Sequence, residues 1–285
     1  MIMSTKPRLS ETIGVIGTGK MGTALIKGLL KEKLVNPDQI IAYDILNEYL
    51  MDLMEETSIN VALNNQQVIE QSNIVFICVK PQVFETTLQK LQTAFTRDHL
   101  VISIAAGVPL ATVERLTGNA RCIRIMPNMP FQVGEGAAGY SLGTRNDNRD
   151  SEIVEIVFGS LGKVFHFPEY LLDAVTGLSG TGPAYVFVFI EALADGGVLA
   201  GLPRREALIL SAQTVMGAAK LLLEQNVHPG VLKDAIMSPG GTTASALQLM
   251  EARGFRSILI DAVEAATKKS QYLGQNILSH SDYLL

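Results

Sequence analysis

Short apolar runs bounded by glycine, proline or charge alternate with helical spacing as far as residue 167, and there the alternation stops. Residues 13–16, 40–43, 74–79, 101–104 and 123–126 read as buried strands. Between several of them, over 25–33, 48–56 and 83–94, apolar positions recur at helical spacing. Strand alternating with helix predicts a parallel sheet covered by helices on both faces. Ligands of such sheets bind at the carboxyl ends of the strands. The polar and glycine punctuation falls at those ends: Gly17 to Gly22, Asp44, Lys80-Pro81, Ala105-Ala106-Gly107 and Pro127-Asn128.

Beyond Phe167-Pro168-Glu169 the strand pattern is gone and helical spacing fills 184–200, 204–224, 231–237, 244–252 and 255–272. Pro183, Pro203 and Pro229 each stand where a first helical turn would begin, a position that tolerates proline. The expected division is therefore two domains, 1–168 and 169–285. The second-half helices are richer in Ala, Leu, Val and Gly than solvated helices would be. Small residues let backbones approach closely, so the expectation is helices interleaved between two copies of the chain; a self-contained bundle is the alternative.

Composition sharpens this. Hydrophobic residues make up 47% and charged residues 18%, which demands a large core or a large subunit interface. A net charge of -5 without any Lys/Arg cluster argues against nucleic acid or an anionic membrane as partner. Cys78 and Cys122 sit in apolar runs and read as small buried hydrophobes, not a disulfide or a metal pair. The four histidines (His99, His166, His228, His280) are scattered, so no metal site is expected. Lys6 and Arg8 are followed by no apolar segment of signal type. Residues 184–202 come nearest to a membrane span, but Glu191 and Asp195 interrupt them, and a buried or interface helix is the better reading. The expectation is a soluble, cytoplasmic protein.

The sharpest chemical signal is Gly17-x-Gly19-x-x-Gly22, directly after the first strand and opening the first helix. Gly17 permits the tight turn, Gly19 lets backbone approach a pyrophosphate, and Gly22 lets the helix pack closely on the strand. Asp44, 22 residues past Gly22, ends the second strand, where a carboxylate accepts from ribose hydroxyls. No arginine follows to offset its charge against a 2′-phosphate, which favours NADH over NADPH. Capping the helix that begins near Asn47 is compatible with both roles. Lys80 can reach the ribose or diphosphate, or be merely a solvated strand end. Ser103-Ile104-Ala105-Ala106-Gly107 leaves room for a flat nicotinamide ring, or packs against a helix.

In the helical half, Ser238-Pro239-Gly240-Gly241-Thr242-Thr243 joins two helices and presents glycine amides and hydroxyls at a helix N-terminus. That arrangement suits a carboxylate; a plain threonine N-cap is the competing reading. Ser179-Gly180-Thr181-Gly182-Pro183 is a similar turn, and the two suggest a shared pocket. Arg121 and Arg124 flank a strand, one expected toward the mouth of the core and the other toward solvent. His228 precedes a helix-starting proline and reads as a cap. With no nucleophile and base and no obvious acid, an easily reduced substrate such as a protonated imine fits best.

Taken together, Gly17-x-Gly19-x-Met21-Gly22, Val79-Lys80-Pro81-Gln82, Met126-x-Asn128-x-Pro130, Gly177-Leu178-Ser179-Gly180-x-Gly182-Pro183-Ala184-Tyr185 and Ser238-Pro239-Gly240-Gly241-Thr242-Thr243 resemble pyrroline-5-carboxylate reductases. The likeness runs from residue 12 to about 274 and is most specific in the helical motifs. It implies an α/β fold: an N-terminal Rossmann-type doubly wound parallel sheet with a C-terminal all-helical, substrate-binding dimerisation domain. The implied assembly is a homodimer, with five dimers in a decamer. The implied reaction is reduction of 1-pyrroline-5-carboxylate to L-proline with NADPH or NADH, the last step of proline biosynthesis. Carried over by motif, Ile16, Gly17, Thr18, Gly19, Lys20, Met21 and Gly22 would hold the pyrophosphate. Asp44 and Asn64 would lie at the adenosine half, and Val79, Lys80, Pro81 and Ala105 at the nicotinamide and its ribose. Gly241, Thr242 and Thr243 would hold the substrate carboxylate, with the Thr243 hydroxyl beside the ring nitrogen as the catalytic candidate. Asn226 joins the substrate-binding set because some members carry a Glu near that position. Many members have a small residue where Asp44 stands and commonly use NADPH.

Two rival readings stay open at this level. One is a related two-domain dehydrogenase acting on a 3-hydroxy acid or another imine; its usual lysine on the long helix is missing here, since none occurs after Pro183 until Lys220. The other is a non-catalytic, dinucleotide-sensing dimer.

Overall fold

The computed structural model describes residues 8–281; Lys6 lies outside them, as does the side chain of His280. The chain divides into two compact units, 1–181 together with 265–285, and 182–264.

The first unit is built on one eight-stranded sheet in the order β3-β2-β1-β4-β5-β6-β7-β8. Its strands are β1 Ile13–Ile16, β2 Ile40–Tyr43, β3 Asn60–Val61, β4 Ile74–Ile77, β5 Leu100–Ser103, β6 Arg121–Met126, β7 Gly136–Leu142 and β8 Gly162–His166. The helices between them are α1 Lys20–Lys31, α2 Asn47–Thr57, α3 Asn65–Glu70, α4 Pro81–Leu88, α5 Leu110–Thr117 and α6 Asn148–Gly159. The chain leaves β1 toward β2 and β3, then returns to place β4 on the other side of β1. This reversal creates a crevice at the carboxyl ends of β1 and β4, where open α/β sheets bind ligands.

Both faces of the sheet are covered, and side-chain alternation sorts the strands between two cores. Ile13 and Val15 of β1, with Ile74 and Phe76 of β4, join α1, α2 and α6 on one face. Ile16, Val75 and Ile77 join α3, α4 and α5 on the other. Phe76 is fully buried and meets Phe158 of α6 edge-on at 6.1 Å between ring centres. Gly14 belongs to the second face, where a Cβ would come within 2.3 Å of Ser72 Oγ.

Three of the strands were not expected. β3 has two residues; β7 reads GAAGYSL and has no β-branched side chain; β8 lies at a sheet edge with Phe165 exposed. The other strand pairings are parallel, as expected, and β7 is the exception in running antiparallel to β6. The short 3₁₀ link Met129–Val133 can reverse the chain but cannot supply a parallel crossover. The expected helix 83–94 is divided into α4 and a 3₁₀ turn, Gln92–Ala94.

Arg121 and Arg124 also correct the reading that one of them faces solvent. Arg121 pairs with the fully buried Asp150. Arg124, 6% exposed, binds Glu169 at 3.0 Å and lies 3.7 Å from Asp173. Glu169 also accepts the Leu110 N–H at the start of α5, and Asp173 accepts the Ser270 hydroxyl at 2.6 Å. A buried guanidinium thus ties β6 to the segment carrying the short helix α7 (Leu172–Val175) and to the C-terminal stretch of the chain.

The second unit contains α8 Gly182–Leu199, α9 Arg204–Gln225, α10 Pro229–Ala235, α11 Thr242–Ala252 and the beginning of α12, Phe255–Ser281. Pro229 occupies the first turn of α10, whereas Pro203 is the N-cap of α9. α8 and α9 pack closely, with a Cβ on Gly197 only 3.2 Å from that of Ala207. Phe189 meets Phe255 at 5.9 Å, and the Tyr185 hydroxyl donates to the Ala262 carbonyl. Yet α8 buries only Ala194, and α9 only Ala207 and Ser211. Phe187, Val188, Ile209 and Met216 all stand more than half exposed in the single chain. Segments 169–199 and 204–225 are also long and apolar enough to cross a membrane by length and composition alone.

Candidate active site

A groove of about 1120 Å³ opens at the carboxyl ends of β1, β2, β4, β5 and β6. The glycine loop forms its floor. Gly17 takes φ +97°, and a Cβ there would come within 3.0 Å of the Cys78 backbone. At Gly22 a Cβ would lie 2.1 Å from the Gly17 carbonyl oxygen, so only glycine lets α1 start so close to β1. Gly19 is different: a Cβ there meets nothing within 4 Å, and the residue lines the groove. Its bare α-carbon serves no packing purpose and leaves room for a ligand at the N-terminus of α1. Gly19 is the N-cap of that helix, with no side-chain cap, so the first-turn N–H groups are aimed at the groove.

Asp44, just past the end of β2, holds this loop. Its Oδ2 accepts the Thr18 N–H at 2.6 Å and the Thr18 hydroxyl at 3.3 Å, and its Oδ1 accepts the Leu46 N–H at 2.9 Å. Asp44 also lines the groove, so the carboxylate presents negative charge there while organising the turn before α2.

The other walls come from the strand ends. Val79, Lys80 and Pro81 form one; Lys80 is the exposed N-cap of α4 and Pro81 its first residue. Ile104, Ala105 and Ala106 form the next, the two alanines offering small side chains. The packing reading of that stretch applies at Gly107, which at φ +74° lies against the backbone of Gly274. Met126 and Pro127 close the far end. Burial pushes the Cys78 thiol up to about 12 and that of Cys122 to about 11, and both cysteines are free. Among the described residues no group of three His, Cys, Asp or Glu is arranged to hold a metal ion.

Of the expected cofactor residues, Thr18, Gly19, Lys20, Met21, Asp44, Val79, Lys80, Pro81 and Ala105 line the groove. Ile16 is buried in the core, and Gly17 and Gly22 shape the turn from behind. Asn64 is absent from the lining; it caps α3 by accepting the Gln67 N–H at 2.9 Å. The sequence reading passed over Leu46, Tyr49, Cys78 and Gln132, which also line the groove. Leu46 and Tyr49, both largely exposed, sit two and five residues after Asp44. The available signal was an apolar and an aromatic residue so soon after the acidic residue that follows the second strand.

In the second unit Gly241 is the N-cap of α11, and no side chain caps the helix. Thr242 and Thr243 are therefore the first two helical residues, and neither is the N-cap. The turn is closed by the Gly241 N–H donating to the Ser238 carbonyl at 3.0 Å, with Gly240 at φ +69°. Thr243 is half-buried and Thr242 exposed. His228 is a cap, its Nδ1 accepting the Gly230 N–H at 3.1 Å. Asn226 ends α9 in the left-handed conformation, at φ +49°. Ser179 and Thr181 belong to the first unit and Ser238 through Thr243 to the second.

Comparison with known proteins names the family. Residues 169–273 match the model for pyrroline-5-carboxylate reductase dimerisation, and residues 12–107 the model described as NADP oxidoreductase, coenzyme F420-dependent. The chain is 44% identical to the pyrroline-5-carboxylate reductase of Methanosarcina acetivorans, over 93% of this chain and 99% of that one. It is 43% identical to that of Arabidopsis thaliana, over 95% of this chain and 98% of that one. The crystal structure of Plasmodium falciparum pyrroline carboxylate reductase with NADP bound superimposes with a TM-score of 0.85 at 30% identity, covering 94% of this chain and 99% of that one. The chain belongs to the pyrroline-5-carboxylate reductase family.

Proposed function

We propose that this protein reduces 1-pyrroline-5-carboxylate to L-proline with a reduced nicotinamide dinucleotide, closing proline biosynthesis. The observation that carries the reading is the family match across the whole helical half, which includes the Ser238–Thr243 turn, beside a groove built for a dinucleotide. That match also favours an imine over a 3-hydroxy acid, and catalysis over sensing alone.

The residues of the first unit fit the cofactor. Gly19 leaves open the space a pyrophosphate needs, and Thr18, Lys20 and Met21 flank it. Asp44 takes the adenosine ribose, with Asn64 further out on the adenosine half. Its charge disfavours a 2′-phosphate, so NADH is the preferred cofactor. Val79, Lys80, Pro81 and Ala105 line the nicotinamide and its ribose. When bound, the cofactor supplies hydride to the imine carbon.

Gly241, Thr242 and Thr243 bind the substrate carboxylate through helix-start amides and hydroxyls. The Thr243 hydroxyl stands beside the ring nitrogen, orienting it or relaying a proton. Asn226 belongs to the same pocket. A protonated imine already carries the positive charge that attracts hydride, so holding it in place is the main catalytic contribution.

In this reading residues 1–168 are the dinucleotide-binding domain and 169–285 the helical substrate-binding and dimerisation domain. The exposed apolar faces of α8 and α9 are covered by a second copy of the chain, and five dimers form a decamer. The protein is a cytoplasmic enzyme of a small-molecule substrate, without a nucleic-acid or membrane partner, in keeping with its charge and its free cysteines.

The test follows reduced-nicotinamide absorbance with pyrroline-5-carboxylate and with 3-hydroxy acids. Turnover of the imine alone is expected. Oxidation of a 3-hydroxy acid would favour the dehydrogenase reading, and cofactor binding without turnover the sensor. Initial rates with NADH and NADPH check the cofactor; a strong NADPH preference would refute the role given to Asp44.

A further inference from the structure

At the end of β6 one side chain joins two segments remote in sequence. Asn128 is only 8% exposed. Its Oδ1 accepts the Ala137 N–H at 2.9 Å, and its Nδ2 donates to the Ser179 carbonyl at 3.1 Å. Ser179 lies in a single π-helical turn, Thr176–Gly180, that leads into α8. In that turn the Thr181 N–H reaches back to the Thr176 carbonyl at 2.8 Å. Such wide turns are rare, occur mostly as single turns within α-helices and are frequent at functional sites. Asn128 is an external donor to this one.

The turn also presses on the groove wall. A Cβ on Gly180 would lie 2.7 Å from Met126 Cε, and Met126 with Pro127 closes the groove at its far end. Within three consecutive residues the chain therefore touches the groove with Met126 and Pro127 and holds the π-turn with Asn128. If the turn relaxed to α-helical register, the chain would slip by one residue and carry Gly180 off Met126.

We infer that Asn128 is a positioning residue for the reduction: by fixing the π-turn against Met126 it fixes the wall of the groove at its nicotinamide end. The inference rests on the function proposed above. Asn128 touches neither cofactor nor substrate in this account. It acts through Ser179, Gly180 and Met126, so its loss lowers kcat while leaving cofactor affinity intact.

The experiment uses the full-length protein carrying Asn128→Ala or Asn128→Asp, with kinetics on pyrroline-5-carboxylate, NADH affinity by fluorescence, and hydrogen exchange at 176–181. For Asn128→Ala, kcat should fall about tenfold, NADH affinity should stay within about twofold, and exchange at Thr181 should rise. Asn128→Asp keeps the acceptor for Ala137 but as a carboxylate has no proton for the Ser179 carbonyl. Its kcat should therefore recover as pH falls and the acid protonates, a pH dependence absent from Asn128→Ala. Wild-type kcat in folded variants, or kcat and NADH affinity lost in parallel, would overturn the inference. If Asn128→Ala does not fold, Gly180→Ala decides, since it pushes the tip of Met126 without touching Asn128. Lowered kcat at unchanged NADH affinity supports the inference, and wild-type kcat rejects it. Absence of turnover by the wild type would refute the proposed function instead; hydrogen exchange then reads the tie alone, and unchanged exchange at Thr181 overturns it.

Discussion

The carboxylate of Asp44 accepts the backbone N–H of Thr18 at 2.6 Å, so the residue just past β2 also holds the glycine loop that follows β1. One side chain thereby does two things at once. It fixes the glycine loop at the floor of the groove, and in the function proposed above it sets the charge where the adenosine ribose would lie. Bonds to a charged acceptor are among the stronger ones, and this one is sheltered at the groove wall.

The two roles separate by substitution. Asp44→Asn keeps an acceptor for Thr18 but removes the charge, so the ratio of kcat/KM with NADPH to that with NADH should rise several-fold. Asp44→Ala removes the acceptor as well, and both cofactors should bind about tenfold more weakly, the order of one charge-assisted hydrogen bond. Equal losses for both cofactors in the Asn variant would show that Asp44 organises the loop without discriminating between them.

Gly19 and Gly22 should respond in opposite ways to the same added methyl. At Gly19, φ -62° and ψ -170° suit alanine, and the methyl meets no protein atom within 4 Å. Gly19→Ala should therefore melt like the wild type while losing ~10-fold or more in cofactor affinity, because the methyl occupies the pyrophosphate's approach. Gly22→Ala puts a methyl 2.1 Å from the Gly17 carbonyl oxygen and should lower the melting temperature outright. A Gly19→Ala protein with native cofactor affinity would place the pyrophosphate elsewhere.

That contrast shows how far the sequence could be read. The motif gave all three glycines, but only the backbone separates the two that shape the turn from the one that opens on the groove. β1 and β2 were legible to the residue, because runs such as IGVI and IIAY carry a strand signal of their own. β7 was not: its pairing comes from neighbours remote in sequence, and its small residues are there to let others pass. A Cβ on Gly139 would lie 2.8 Å from Val175, and one on Gly136 would lie 2.2 Å from Phe131. In the same way the burial of Arg124 was not legible, because Glu169 and Asp173, its partners, lie more than forty positions away. The role of Thr243 stayed a matter of resemblance, since a hydroxyl in a glycine turn has the same local signature whether it caps a helix or binds an anion.

Arg124 makes the second structural prediction. Its guanidinium is buried, whereas Glu169 and Asp173 keep some contact with water, so the cost of breaking the network is that of charged hydrogen bonds and not of a stranded buried ion. Arg124→Met should lower unfolding free energy by about 2 kcal/mol in urea titration. Part of the loss should reappear in Glu169→Gln, which keeps an acceptor for Arg124 and for the start of α5 but removes its charge. Additive losses in the double variant would show that the two residues do not act as a unit.

The apolar exterior of the second unit predicts its own assay. Ile209 and Met216 lie seven residues apart on one side of α9 and are both more than half exposed in the single chain. Light scattering should give at least twice the 30.8 kDa chain mass for the wild type. Placing Asp at both positions should drive the protein toward the single-chain mass, because an unpaired charge is costly in an apolar interface. A wild type that runs as a monomer at micromolar concentration would leave those faces without an explanation.

Thr243 offers the most direct test of the chemistry. It is the second residue of α11, half-buried, in a helix start that no side chain caps. Its hydroxyl is therefore not committed to the N-cap role that would make it structural. Thr243→Ala should reduce turnover by ~10-fold or more while leaving cofactor affinity unchanged, since a group that orients the imine or relays its proton acts only on the chemical step. Thr243→Ser retains the hydroxyl and should recover most of the rate. If serine and alanine are equally impaired, the methyl packing of Thr243 matters and its hydroxyl does not. If both keep the wild-type turnover, the imine nitrogen is served by another group, and the half-buried position of Thr243 is explained by packing in α11 alone.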